Sequence, residues 1–245
     1  MNDLLVGGCA AGGVVAGIVL DEIGARVPPA RTAAEATPDQ EGGVSPVPVT
    51  DLRPAPPSGA ERVVAAALTG FLFAAAAVRF GPVPELAAYC VLFGGLVCAS
   101  VADIRVGLLP RKIVYPTLGL MTVALVAASS VSGDWRSLLD AAIGGVAGFL
   151  VFFIIWFISP RAMGFGDVRL AGLIGAGLGY LGFRQLYLGF LVSFVAGVVI
   201  GLGKMAVQGT GRKTALPFGP ALAVGAVIGV LWGGYLANLW VHPGG

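Results

Sequence analysis

Apolar residues dominate eight stretches of the chain, near 4–20, 63–79, 86–102, 113–131, 138–159, 168–184, 186–203 and 217–240, with short polar breaks between most of them. A helix rises about 1.5 Å per residue and the hydrocarbon core of a bilayer is about 30 Å thick, so runs of this length read as membrane-crossing helices. The pattern predicts an all-α, polytopic membrane protein of about eight transmembrane helices. One connection is long. Residues 21–62 are rich in Pro, Ala, Thr and acid, including Glu35, Pro38, Asp39, Glu41, Pro54, Pro56 and Pro57, a composition that buries no core and reads as a flexible loop. The first run differs from a cleaved secretory signal because Met1, Asn2 and Asp3 bring no Lys or Arg ahead of it, so it is read as a membrane helix.

Basic residues set the orientation, because Lys and Arg in short loops resist translocation. With the N-terminus outside, the cytoplasmic side holds Arg26, Arg31, Arg53, Arg62, Arg105, Arg111, Lys112, Arg161, Arg169, Lys204, Arg212 and Lys213. The outer side keeps Arg79, Arg136 and Arg184. This bias of twelve to three alternates loop by loop, which also supports an even number of spans. Small residues recur at helical spacing in Gly13/Gly17, Gly144/Gly148, Gly197/Gly201 and Gly225/Gly229/Gly233, the pattern by which membrane helices pack closely.

Composition narrows the function classes. The 245 residues are 57% hydrophobic and 11% charged, with a mean hydropathy of +0.90, which excludes an ordinary soluble domain and a disordered one. A formal charge of +2 gives no basic surface for nucleic acid. Cys9, Cys90 and Cys98 make no C-x-x-C pair and read as small buried apolar residues. With His242 the sole histidine, neither a metal site nor Ser-His-Asp catalysis has support, and no cofactor is expected. The chemistry must fall to carboxylates or basic side chains.

Charged residues at membrane depth are costly and tend to be functional. Asp103 lies where the third run ends and Asp167 where the sixth begins, both on the cytoplasmic side of this topology. Two carboxylates held at one depth by different helices are what a water-activating acid/base pair needs, since close like charges leave one proton shared. The plainer alternatives are that Asp167 caps or complements a helix start and that Asp103 pairs with Arg105. Around the two acids stand Pro110, seven residues after Asp103, the string Met163-Gly164-Phe165-Gly166-Asp167-Val168-Arg169, and Leu216-Pro217-Phe218-Gly219-Pro220 at the start of the last run.

In this conjunction the sequence resembles the type IV prepilin peptidases, bacterial members of the GxGD membrane aspartic proteases, over about residues 86–240. The resemblance implies that Asp103 and Asp167 are the catalytic pair, and that Pro110, Gly164, Phe165, Gly166, Arg169, Pro217, Phe218, Gly219 and Pro220 line or shape the pocket. Residues 63–245 would form the peptidase domain, and 1–62 a first helix plus cytoplasmic loop. The family commonly has Asp or Asn where this chain has Arg111, and Lys where it has Arg169. Many members also carry paired C-x-x-C motifs in the N-terminal loop, linked to N-methylation. Residues 21–62 contain no Cys, so neither zinc nor methyltransferase activity is expected here.

The resemblance further implies a multi-pass protein of the bacterial cytoplasmic membrane whose active site faces the cytoplasm. Its substrates would be prepilins or pseudopilins, cut after Gly between a basic leader and a hydrophobic helix. The oligomeric state is open, and membrane lipid is the expected surroundings. Glycines flanking Phe165 would break the helix and admit a substrate backbone, while Pro217 and Pro220 read equally as pocket lining or as an ordinary helix start. Helix dipoles would leave Asp167, at a helix N-terminus, as the anion that activates water, and Asp103 as the proton carrier. Asp21, Glu22, Glu35, Asp39 and Glu41 either attract a basic leader or simply solvate the loop. Two other readings use the same residues: a proton- or cation-coupled transporter, and a catalytically idle secretion component.

Overall fold

A computed structural model describes residues 2–25, 59–106, 109, 111–160, 163–208 and 218–241. Among these it forms eight helices and no strand: α1 (Asn2–Ala25), α2 (Gly59–Phe80), α3 (Glu85–Val106), α4 (Arg111–Ser132), α5 (Trp135–Ile158), α6 (Phe165–Leu181), α7 (Phe183–Gln208) and α8 (Gly219–Val241). The chain is an all-helical polytopic membrane protein. Six helices, α2, α3, α4, α5, α7 and α8, hold a stretch long and apolar enough to cross a bilayer. In α1 the described apolar stretch is Asp3–Gly17. Helix α6 has 17 residues, about 25 Å at 1.5 Å each, the short end of the length that crosses a bilayer.

Several boundaries differ by three to five residues from the sequence expectation, and three of them bear on the loop or the site. Helix α1 continues to Ala25, taking Asp21 and Glu22 out of the expected loop, because nothing in Asp-Glu-Ile-Gly-Ala stops a helix that is already formed. Helix α2 begins at Gly59 and so includes Glu61 and Arg62. Helix α6 begins at Phe165, three residues before the apolar run, which places Asp167 inside its first turn. Residues 26–58 of the expected loop lie outside the described residues.

Helices α3 and α6 occupy the centre. Helix α3 packs on α1, α2, α4, α6 and α8, and α6 packs on α3, α4, α5, α7 and α8. Both are apolar around much of their circumference, as an enclosed helix must be: Tyr89, Leu92, Phe93 and Leu96 on α3 and Leu170, Leu173, Ile174 and Leu178 on α6 are all buried. The outward faces of the surrounding helices carry exposed apolar side chains such as Phe71, Val123, Ile154, Phe157 and Val198, which suit lipid rather than water. Cys98 is buried as expected, whereas Cys9 and Cys90 are half-buried against the core.

Sequential neighbours are drawn together by glycine. A methyl group on Gly144 of α5 would lie 2.5 Å from the Gly175 carbonyl oxygen of α6, and one on Gly13 of α1 would lie 2.8 Å from the Gly70 Cα of α2. Gly225 and Gly229 bring α8 against Gly189 of α7 in the same way. The remaining repeat takes a different partner, since Gly197 makes room for the ring of Phe218. Buried polar groups are satisfied between helices: the Tyr89 hydroxyl donates to the Gly177 carbonyl (3.0 Å), and the Tyr180 and Ser129 hydroxyls share a bond of 3.1 Å. The short turns after α2, α4 and α6 each use a glycine at positive φ, Gly81 (69°), Gly133 (75°) and Gly182 (124°).

The glycine seam predicts a selective sensitivity. Gly175→Ala presses a methyl group into the Gly144 backbone and is expected to lower stability by about 1–3 kcal/mol, the usual cost of overpacking. Gly119→Ala on α4, where a methyl group meets open space, is expected to leave the unfolding midpoint in detergent unchanged or slightly raised.

Candidate active site

Both aspartates fall on the central helices and both are buried, each 4% exposed. Asp103 is in the last turn of α3. Its Oδ2 accepts the backbone N–H of Gly219, the first residue of α8, at 3.0 Å. The first N–H groups of a helix have no partner within the helix, so an anionic side chain is well placed there. Glycine is required for the approach: a Cβ at position 219 would stand 2.7 Å from that oxygen and 3.1 Å from Cγ.

Asp167 is the third residue of α6, and its own N–H donates to the Gly164 carbonyl at 3.1 Å. Its Oδ1 is buried and finds no hydrogen-bond donor among the described residues. The Asp103 and Asp167 charges lie close enough to repel one another. Two buried carboxylates on packed helices, one fixed by a backbone donor and the other with an open oxygen, can share a proton and a water.

The two glycines before Asp167 have separate tasks. Gly164 is the N-cap of α6, at φ −72° and ψ 145°. Gly166 lies within the helix, where a Cβ would come 2.6 Å from the Leu109 Cβ and 3.3 Å from the Leu109 carbonyl oxygen. Leu109, which follows α3 in the chain, therefore lies directly against the first turn of α6. The expectation that both glycines interrupt a helix holds for Gly164, while Gly166 serves contact between two stretches of this chain.

The other expected pocket residues divide. Phe165 packs edge-on against Trp156 (5.0 Å between ring centroids), and the Arg169 guanidinium lies over it at 4.4 Å and over Tyr115 of α4 at 5.8 Å. Arg169 thus bridges α6 to α4 by cation–π contact, which uses the flat guanidinium in a way that a lysine ammonium does not reproduce. Phe218 sits among Phe152 (6.1 Å) and Phe194 (6.0 Å) and anchors the start of α8 to α5 and α7. Pro220 is the second residue of α8, in keeping with an ordinary first-turn proline. Pro110 and Pro217 lie outside the described residues.

Arg105 gives its Nη2 to Glu61 Oε2 at 3.0 Å, joining the end of α3 to the start of α2. Sequence reading missed Glu61, Leu109 and Tyr115 as neighbours of the site. For Glu61 a signal was present, since helix alternation puts the start of α2 and the end of α3 on one face. Leu109 and Tyr115 carry no sequence signal of their own.

The fold and the site define a class: a polytopic helical membrane protein with two carboxylates buried where its central helices meet. The model of the type IV leader peptidase family matches residues 90–202, a segment that contains both aspartates. Curated proteins named prepilin leader peptidase/N-methyltransferase are similar as well. That of Pseudomonas putida is 33% identical over 66% of this chain and 56% of its own length; that of Bacillus subtilis is 29% identical over 71% and 67%. That of Pseudomonas aeruginosa is 31% identical over 72% and 60%. On these matches the chain is similar to the type IV leader peptidase family over residues 90–202, the segment that carries both central helices' aspartates. It spans between about half and two thirds of the length of these relatives. No solved structure is significantly similar to it.

The contact between Gly219 and Asp103 yields a prediction. Gly219→Ala pushes a methyl group against the Asp103 carboxylate and is expected to reduce any aspartate-dependent turnover by roughly a hundredfold, the cost of a misplaced reacting group. The unfolding midpoint, measured on the same sample, is expected to change far less than the rate. Wild-type turnover in this variant would show that the contact does not orient Asp103.

Proposed function

We propose that this chain is an aspartic endopeptidase that removes the basic leader of type IV prepilins or pseudopilins. The observation that carries this reading is the burial of Asp103 and Asp167 together on the two central helices, inside the segment that matches the leader peptidase family. Residues 63–245 form the peptidase unit. The site lies on the cytoplasmic side of the bacterial inner membrane, with the N-terminus outside, so that the leader stays inside while the substrate helix enters the bilayer. The bias of Lys and Arg toward one side supports this orientation.

In the mechanism we propose, the two acids hold one proton between them, and a water between them attacks the carbonyl of the glycine that ends the leader. The Gly219 N–H favours the anion on Asp103, which makes Asp103 the base that takes the proton from water. The open, buried Oδ1 of Asp167 is the place for the shared proton, from where it polarises the scissile carbonyl. This reverses the assignment drawn from helix ends alone, because Asp103 also meets a helix N-terminus, that of α8. The pair titrates as a unit, so the assignment describes one protonation microstate. Asp103 then gives the proton it took from water to the leaving nitrogen, the C–N bond breaks, and the leader, now ending in a carboxyl group, separates from the chain that carries the new N-terminal amine, while the shared proton stays with the pair.

The cysteine-free stretch 21–62 supports a peptidase without N-methyltransferase activity. A transporter built on the same carboxylates would leave the Gly-Phe-Gly-Asp string and the Gly219 contact without a purpose.

The test is cleavage of a pilin-like precursor in membranes, with mass spectrometry of the new N-terminus. Asp103→Ala and Asp167→Ala are each expected to abolish cleavage, and the wild-type product is expected to be unmethylated. Cleavage that persists with either alanine in place contradicts the aspartic mechanism, and a methylated product contradicts the peptidase-only reading.

A further inference from the structure

At the end of the bundle away from the aspartates, the end of α2, the start of α7 and the second half of α8 line an open cavity of about 680 Å³. Helix α8 begins beside Asp103 and runs to the lining residues Trp232 and Tyr235, a distance of about 20 Å along its axis at 1.5 Å per residue. The cavity therefore opens near the opposite membrane surface. Arg79 from α2 and Arg184 from α7 both line it, together with Gln185 and Gly234.

No carboxylate lines this cavity, and among the described residues neither arginine forms an ion pair. Glu85, at the start of α3, is not part of the wall. Two guanidinium groups turned into one space repel each other unless an anion lies between them. Gly234 borders both groups, since a Cβ there would lie 3.9 Å from an Arg79 Nη and 3.7 Å from the Gln185 amide, in ordinary van der Waals contact.

The surroundings distinguish among anions. Trp232 and Tyr235 are 51% and 66% exposed, the partial exposure of aromatic side chains at a membrane interface. Beside the arginines, Val78, Phe183, Tyr187 and Leu191 form an exposed apolar flank that has no use in water. A charged cleft above an apolar flank fits a molecule with an anionic head and hydrocarbon tails.

We propose that this cavity binds the phosphate of an anionic phospholipid, held between Arg79 and Arg184, with its acyl chains along the flank of α7. Arginine is suited to this role because its planar donors meet phosphate oxygens in pairs. The lipid joins α2 to the α7–α8 hairpin, elements that otherwise touch only lightly. The site is separate from the aspartate pair, and its occupancy is read through stability rather than through cleavage.

The test is thermal unfolding of the full chain, delipidated in a neutral detergent and titrated with phosphatidylglycerol, phosphatidylcholine or inorganic phosphate. Phosphatidylglycerol is expected to raise the midpoint of the wild type and of Arg136→Gln, whose arginine does not line the cavity. In the Arg79→Gln/Arg184→Gln variant the concentration needed is expected to rise roughly tenfold or more, as expected for lost charge-assisted bonds. If that variant does not fold, Arg79→Gln and Arg184→Gln are measured singly, and each is expected to weaken the response. A response to phosphatidylglycerol in the variants equal to that of the wild type overturns the site. Equal responses to phosphatidylcholine overturn the need for a net anionic lipid. An equal response to inorganic phosphate overturns the lipid and leaves a site for a soluble anion.

Discussion

Two like-charged side chains buried next to each other are unstable unless backbone donors and a shared proton compensate them. That constraint organises much of this chain. Asp103 and Asp167 reach one region because α3 and α6 are the two enclosed helices of the bundle, and a third helix begins beside Asp103 and gives its carboxylate a backbone N–H. The start of α8 must therefore be placed to within the length of a hydrogen bond, and several packing features are arranged to that end. Phe218 is wedged among Phe152, Phe194 and Gly197, and α8 lies close to α7 through Gly225 and Gly229.

The same logic accounts for α6. At 17 residues it is the shortest of the eight described helices, and Asp167 sits in its first turn. Close packing against α5 through Gly144 and Gly175 fixes its depth, and the Arg169 stack on Phe165 and Tyr115 fixes its first turn from the other side. Gly166 then leaves room for Leu109, which follows α3 in the chain, to lie against this turn. Glycine here acts less by freeing the backbone than by leaving out a side chain where two stretches must touch.

Much of this was legible in the sequence, and the reasons are physical. Apolar runs of membrane length reveal helices because lipid tolerates few other structures, and a charged residue at depth stands out because of its cost. Asp103 and Asp167 were therefore visible as a candidate pair. The boundaries were harder. The start of α6 at Phe165 and the extension of α1 to Ala25 involve residues whose hydropathy does not mark them, since a helix under way continues through acidic side chains until something stops it. The bond from Gly219 to Asp103 joins residues far apart in the chain, and local pattern carries no information about such a contact. For the same reason the stack of Arg169 with Tyr115, and the pairing of Arg105 with Glu61, emerge only when the helices are assembled.

The central claim is that the two aspartates act as one catalytic unit. A double-mutant cycle on single-turnover cleavage of a pilin-like precursor tests it most directly, with Asp103→Asn, Asp167→Asn and the two combined. Groups that share a proton and a water fail together, so the account predicts that the double variant is no slower than the worse of the two single variants. Losses that multiply in the double variant would mean that the aspartates act independently, and would contradict the account.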